Sequence, residues 1–472
     1  MRKFLNSINL LLWGIGICLL IGGTYLLFIP YPELILAIPF AIPLVLIAVI
    51  GALAYPFLVV ISFVAFSYFR IHEAIPQIYP LRIPLILAIA TAGVLTYHIA
   101  IRNTVRPYWR YELSILSVFA AQVLLSVIFS TNRANSLEFF LSIFAKTLLM
   151  VPAIIWLTRK SYEFKLTTYT FIICGTLLSV IGLINKFKGV GLVEGSRITI
   201  AREFSSVLGD PNDLASILLC PLSFAAALYF SNKKIIFRLI SILSFLLILY
   251  AIFSTQSRGG LLGAATIFYV YFARVIKPKK IAPVLGLISL VIMALLSGIS
   301  DRSSGGINEL SQSGVDASSM GRIYAWGASI EMAIAHPIAG VGVNNFLNNF
   351  WEFSSYWDGQ NKAAHSAWFE ILGETGFAGL IVYLILISRI LKVSRENMHL
   401  VFSSKFKFNS DTEVVARALH SSLLGIIVSS TFLSQGFAWS GYIIFSLTLA
   451  LNTYVKKRIN TKQCYTLLSG QA

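Results

Sequence analysis

Residues 365–391, "HSAWFEILGETGFAGLIVYLILISRIL", change character halfway along. From Phe377 onward the stretch is an almost unbroken apolar run that closes on Arg389. At 1.5 Å of rise per residue, the whole segment is long enough to cross the roughly 30 Å of hydrocarbon in a bilayer. Its first half carries His365, Glu370 and Glu374. Ionisable groups at the mouth of a membrane helix are costly to desolvate and are often functional. The rest of the chain has to show that such a helix is in its natural setting.

It does. Of the 472 residues, 57% are hydrophobic and 12% charged, with a mean hydropathy of +0.79. A soluble protein of this size could not cover so much apolar surface. Apolar segments recur near 8–29, 34–50, 55–69, 82–99, 112–130, 137–157, 166–184, 211–230, 235–253, 259–275, 281–299, 367–391, 414–434 and 441–455. The second and third share one long run, split at Gly51 and Pro56. The expected fold class is all-α: a polytopic helical membrane protein of about 12–14 transmembrane helices. The short alternating strands of an outer-membrane barrel are missing from the pattern. The first run follows Arg2 and Lys3 like a signal peptide but has no clean small-residue cleavage site, and we read it as a retained helix.

The formal net charge of +17 would suggest nucleic acid in a soluble protein. Here the positive-inside rule accounts for it. With the N-terminus inside, most of the 37 lysines and arginines fall in cytoplasmic ends, among them Arg102, Arg106, Arg110, Lys277, Lys279, Lys280, Arg389 and Lys392. Both termini and the 389–413 loop are then cytoplasmic. The chain divides into an N-terminal transmembrane bundle (1–184), a second set of segments with a first periplasmic loop (185–299), a large periplasmic loop (300–366) and C-terminal transmembrane segments (367–472). The large loop opens with a Ser/Gly-rich linker; a helix is expected from Ser318 or Ser319 to His336, ahead of Pro337. Ile323, Trp326, Ile330 and Ile334 share one face of it, which suits a helix lying at the membrane surface. The four scattered cysteines form no metal-binding or disulfide pattern.

Three outer positions stand out. Arg258, in "STQSRGG", opens a helix beside Gly259 and Gly260, where a backbone or a ligand can approach closely. A snorkelling arginine would look the same. Arg322 opens the loop helix; a cation there opposes the helix dipole, so it points at an anion or pairs with an acid such as Asp316 or Glu331. His365 can act as a base or simply as a structural interfacial histidine. "GDPNDLA" (209–215) reads as a cap, with Asp210 and Asn212 closing a helix that Pro211 begins. No phosphate-binding loop, serine elbow or zinc motif occurs.

Together these motifs resemble a known family. "GRIYAWGASIEMAIAHPIAGVGVNNF" (321–346) followed by "AAHSAWFEILGETGFAGLIVYL" (363–384) resembles the signature of the O-antigen ligase and O-antigen polymerase superfamily. "STQSRGG" (254–260) and "GSRITI…GDPNDLA" are similar to its upstream motifs. The resemblance implies a metal-independent, cofactor-free glycosyltransferase of GT-C type in the bacterial inner membrane, with its site facing the periplasm. It further implies a glycan donor on undecaprenyl pyrophosphate and an acceptor hydroxyl on lipid A core, a growing glycan or a protein. His365 takes the family's catalytic position, and Arg258 and Arg322 its pyrophosphate-binding positions; Arg197 and Arg202 are outer cations that could assist. The serine after His365 is closer to O-glycosylation ligases linked to exosortase systems. A polymerase that extends lipid-linked repeats shares the chemistry. A lipid-linked oligosaccharide flippase is the alternative of another class, but it should carry polar groups at mid-membrane, where only Lys146, His98 and Gln122 qualify.

Overall fold

Proline, glycine and capping residues divide the apolar runs into helices. In the computed structural model the described residues are 47–202, 206–231, 234–275, 317–403 and 406–468. The apolar segments near 8–29 and 281–299, most of 34–50 and the linker before residue 317 lie outside them. Among the described residues the structure is helical, with one isolated bridge between Val193 and Arg197.

The chain divides into two compact units between Pro107 and Tyr108. In the first unit, α1 (Ile47–Ala54) and α2 (Pro56–Tyr68) are bent 104° apart, because Pro56 cannot continue the helix before it. The run split at Gly51 and Pro56 is therefore a sharp bend. α3 (Ile83–Thr96) packs on α2 and ends in a π turn at Tyr97–Ile101. His98 in that turn holds Thr104 Oγ1 (2.6 Å) and the Leu53 carbonyl (2.9 Å), a structural role.

The second unit contains α4 (Tyr111–Ile128), α5 (Arg133–Leu157), α6 (Ser161–Lys188), α7 (Pro211–Ser231), α8 (Ile235–Thr255) and α9 (Arg258–Val275). It continues with α10 (Ala317–Ala335), α11 (Phe346–Phe353), α12 (Ala367–Ser403), α13 (Ser410–Ser430) and α14 (Trp439–Leu468). Local chemistry sets the ends. Asn132 accepts from the Asn135 amide to cap α5, Asn409 does the same for Thr412 at α13, and Gly189 at φ +68° closes α6. Eight helices of the described residues are long and apolar enough to cross a membrane, nine if α1 and α2 count as one bent span. The chain is an all-α, multi-pass membrane protein.

α7 is the central post of this unit. Its most apolar window is 78% buried, against 28% for α8, and it packs on α6, α8, α9 and α13. Small residues permit the close contacts, as is usual between membrane helices. A Cβ at Gly175 of α6 would lie 2.3 Å from the Pro221 side chain of α7. One at Gly263 of α9 would meet Leu219 of α7 at 2.5 Å and the Gly425 carbonyl of α13 at 2.8 Å.

α12 packs on α4, α13 and α14. It runs through Ser403, so most of the loop expected at 389–413 is helix. Its regular geometry is interrupted at Gly376 (φ 71°, ψ −175°). Far from His365, Arg110 and Arg389 clasp Glu112 at 3.0 and 2.9 Å, and Arg110 also holds Thr453 and Asn452 of α14. That network ties α4, α12 and α14 together at one end of the unit.

Candidate active site at the mouth of α12

The residues around "GETG" explain why two glutamates sit in a membrane helix. Glu374 aims its carboxylate at the turn after α10: Oε2 accepts from the Asn344 amide (2.8 Å) and Oε1 from the Phe346 amide (3.2 Å). The same turn donates from Val341 N to the Gly373 carbonyl (2.9 Å) and from Gly342 N to the Glu374 carbonyl (3.2 Å). Phe377 N, freed by the break at Gly376, donates to the Pro337 carbonyl (2.9 Å). Gly340 (φ +63°) lets the turn approach so closely, since a Cβ there would strike the 373–375 backbone, and Gly342 (φ +99°) makes the same room beside Ser130. Glu370 Oε2 accepts from the Gly436 amide at 2.9 Å, fixing the turn between α13 and α14. Both carboxylates are supports for loops.

The loop helix begins at Ala317, slightly before the serines expected as its cap, and ends at Ala335. Ala325, Ala328 and Met332 form its packed face, with Val341, Phe346, Phe350 and Ala364. Trp326 fixes its position against His365's segment: Nε1 donates to the Ala364 carbonyl (3.1 Å) and the indole stacks on Phe369 at 5.0 Å. The Gln122 amide reaches the Thr375 carbonyl (3.1 Å) and the Ile338 carbonyl, so this residue too is structural.

His365 lies just before α12 in a left-handed backbone conformation (φ 45°), uncommon for a residue with a side chain. Burial pushes its pKa below the ordinary 6.5, the charge of Arg322 pushes it the same way, and Asp210 opposes them. The imidazole thus has a cation and a carboxylate as electrostatic neighbours, and burial and the cation both favour its uncharged form. Asp210 also caps α7, accepting from the Asn212 (2.7 Å) and Asp213 (3.3 Å) amides. Sequence reasoning found the cap; its proximity to His365 has no local signal.

Arg258 is the first residue of α9 and is half-buried. The glycines after it serve helix packing: a Cβ at Gly260 would lie 2.4 Å from Ala215 Cβ, and one at Gly259 would be 3.3 Å from the Ser429 carbonyl. The first turns of α7 and α9 therefore touch, which brings Arg258 to the end of α7 that Asp210 caps. Arg197, expected as an outer assisting cation, is only 4% exposed. Its Nε donates to the Thr255 carbonyl (2.9 Å), its Nη2 to Asn212 Oδ1 (3.0 Å), and Glu194 is 3.6 Å away. Its fork joins α7 to the end of α8, three residues before Arg258. Arg202 is exposed, with Nη1 3.5 Å from the Leu192 carbonyl.

The sequence reading passed over two further polar groups. Lys362 Nζ would lie 3.8 Å from a Cβ at Gly321, next to Arg322, and it holds Asp358 at 2.6 Å. Asp213 accepts from the Gln435 amide at 2.6 Å, linking α7 to the turn that Glu370 holds. Among the described residues, no three His, Cys, Asp or Glu side chains form a group that could hold a metal ion. The N-terminal turn of α7 is thus the common neighbour of the elements that carry Arg197, Arg258, His365 and Gln435.

Residues 243–384 match the family model described as O-antigen ligase. The match runs from within α8 to within α12 and contains Arg258, Arg322 and His365, while Arg197, Arg202 and Asp210 lie before it. None of the curated proteins matches the chain.

Proposed function

We propose, from the premise that this chain belongs to the O-antigen ligase superfamily through residues 243–384, that it is an inverting glycosyltransferase. It takes a glycan from undecaprenyl pyrophosphate and joins it to an acceptor hydroxyl, on lipid A core or protein, at the periplasmic face of the inner membrane. The observation that carries the reading is a half-buried histidine with Arg322 and Asp210 as electrostatic neighbours, Asp210 capping the helix α7 on which the start of α9, with Arg258, packs.

The chemistry follows from these groups. The acceptor oxygen attacks the anomeric carbon, and the bond from that carbon to the pyrophosphate oxygen breaks with its electron pair going to the phosphate. Charge therefore grows on the leaving group, and fixed cations placed before the reaction stabilise it. Arg258 and Arg322 supply them, since guanidinium stays charged and grips phosphate in a two-pronged fork. A sugar hydroxyl is a weak nucleophile, and the uncharged imidazole of His365 accepts its proton as the new bond forms. Asp210 stabilises the imidazolium that results. Arg197 sets the end of α8, and through it the start of α9. With attack and departure on opposite faces, the anomeric configuration inverts. The two arginines do the charge work elsewhere given to a divalent ion, so no metal enters the scheme.

The test uses purified protein with a lipid-linked glycan donor. His365→Ala should lower transfer by about 10²–10⁴-fold while donor binding persists. Arg258→Ala and Arg322→Ala should weaken both binding and turnover, with lysine restoring only part. Transfer should continue in excess EDTA. Near-normal turnover by His365→Ala, at normal expression and insertion, would return this histidine to a structural role. Loss of transfer in EDTA that magnesium or manganese restores would overturn the arginine mechanism.

A further inference from the structure

One face of α10 is apolar and exposed among the described residues. Ile323, Ile330 and Ile334 are exposed, Ile334 by 59%, and Ile338 just beyond the helix is exposed by 64%. At about 100° per residue the three helical isoleucines fall within a stripe of roughly 40°. The opposite face, with Ala325, Ala328 and Met332, is fully packed. Two neighbours show what surrounds the stripe. The Pro337 carbonyl accepts from Phe377 N of α12, and the Ile338 carbonyl accepts from the Gln122 side chain of α4. Both partners sit on helices long and apolar enough to span a membrane.

The depth of that contact decides the matter. Gln122 lies six residues before the end of α4 at Ile128, which is about 9 Å along the axis at 1.5 Å per residue. Around that level α4 exposes Val118, Leu124 and Ile128, and α12 exposes Phe377, Ile381 and Leu384. These are surfaces that spanning helices present to lipid. The exposed isoleucines of α10 lead toward them through Pro337 and Ile338, with His336 exposed beside that path. A water-facing helix would leave this apolar band uncovered, against the cost of exposing it.

We propose that the isoleucine stripe of α10 is immersed in the bilayer leaflet on the side of the candidate site, making α10 an in-plane membrane helix. Its apolar face enters the headgroup–acyl boundary, as amphipathic interfacial helices do. Arg322, about 100° round the helix from Ile323, then lies on the flank at headgroup level. Lipid, rather than a second protein, covers the stripe.

The experiment places a nitroxide on Ile330→Cys or Ile334→Cys, with Glu331→Cys on the exposed flank as control. The four native cysteines are replaced by alanine, and the full chain is reconstituted in bilayers. Collision with oxygen, which concentrates in lipid, is compared with collision with a water-soluble nickel chelate. Immersion predicts that oxygen dominates at 330 and 334 while the nickel chelate dominates at 331. A nickel-dominated signal at both isoleucine positions would place the stripe in water and overturn the proposal. Immobile labels reached by neither agent would mean a protein partner or a second copy covers it, which overturns it equally. Two label positions, each checked for monodisperse protein after reconstitution, separate a misfolded variant from a wrong inference.

Discussion

Gly376→Ala tests the joint on which the site is hung. Its backbone, at φ 71° and ψ −175°, occupies a region open essentially to glycine alone. A side chain there costs about 1–3 kcal/mol in backbone strain. The added Cβ would also lie 2.5 Å from the Pro337 oxygen, 2.8 Å from the Pro337 carbonyl carbon and 2.9 Å from the His336 oxygen. All three are backbone atoms, so relief requires the turn after α10 to move away. That movement weakens the bonds from Phe377 N to Pro337 O and from Val341 N to Gly373 O, each worth about 0.5–1.5 kcal/mol net. The expected loss is about 2–6 kcal/mol, concentrated between residues 337 and 345. Misplacement of about 1 Å at α10 would further cost on the order of 10²-fold in transfer. The assay is thermal unfolding in detergent with hydrogen exchange at the Val341, Gly342 and Phe377 amides. Gly327→Ala is the control: nothing lies within 4 Å of its Cβ position inside α10, and it should be neutral or stabilising by up to about 1 kcal/mol. Unchanged melting and unchanged protection in Gly376→Ala would refute the account of the joint.

The remaining tests address charge, support and orientation. A general base works unprotonated, so transfer should fall as pH drops through the His365 pKa, which burial and Arg322 hold below 6.5; the acid limb of the pH–rate profile belongs below that value. Arg322→Gln removes a lowering influence and should move the limb to higher pH, whereas Asp210→Asn removes a raising one and should move it lower; limbs that stay put would separate His365 from both. Glu374→Ala leaves the Asn344 and Phe346 amides without their acceptor, a loss of about 1–3 kcal/mol for each, read by thermal unfolding. Arg197→Lys should lower transfer through a displaced Arg258 with little change in acceptor KM, and unaltered turnover would show that its fork positions nothing. In intact cells, an impermeant thiol reagent should label Gln360→Cys and spare Ser403→Cys; the reverse pattern would turn the site to the cytoplasm.

The sequence by itself determined the membrane class, the positions of most helices and the identity of the groups that carry charge. Hydropathy, capping residues and proline are local, and a bilayer makes local hydropathy decisive because each spanning segment must satisfy its own backbone. Even the bend at Pro56 and the turn at "AGVG" could be read residue by residue. Tertiary structure decided which groups meet. Asp210 reads as a cap and nothing more until the packing of α7 brings it to His365. Arg197 reads as an outer cation until the fold buries it between Thr255 and Asn212. Glycines 259 and 260 read as room for either a backbone or a ligand, and the packing of α7 and α13 decides for neighbouring helices. The glutamates of "FEILGETG" read as supporting residues, but which amides they hold, those of 344, 346 and 436, only the fold shows. The reason is common to all four. A side chain's chemistry is fixed by its type, but its partners come from segments tens to hundreds of residues away, brought within reach only by how closely the helices pack.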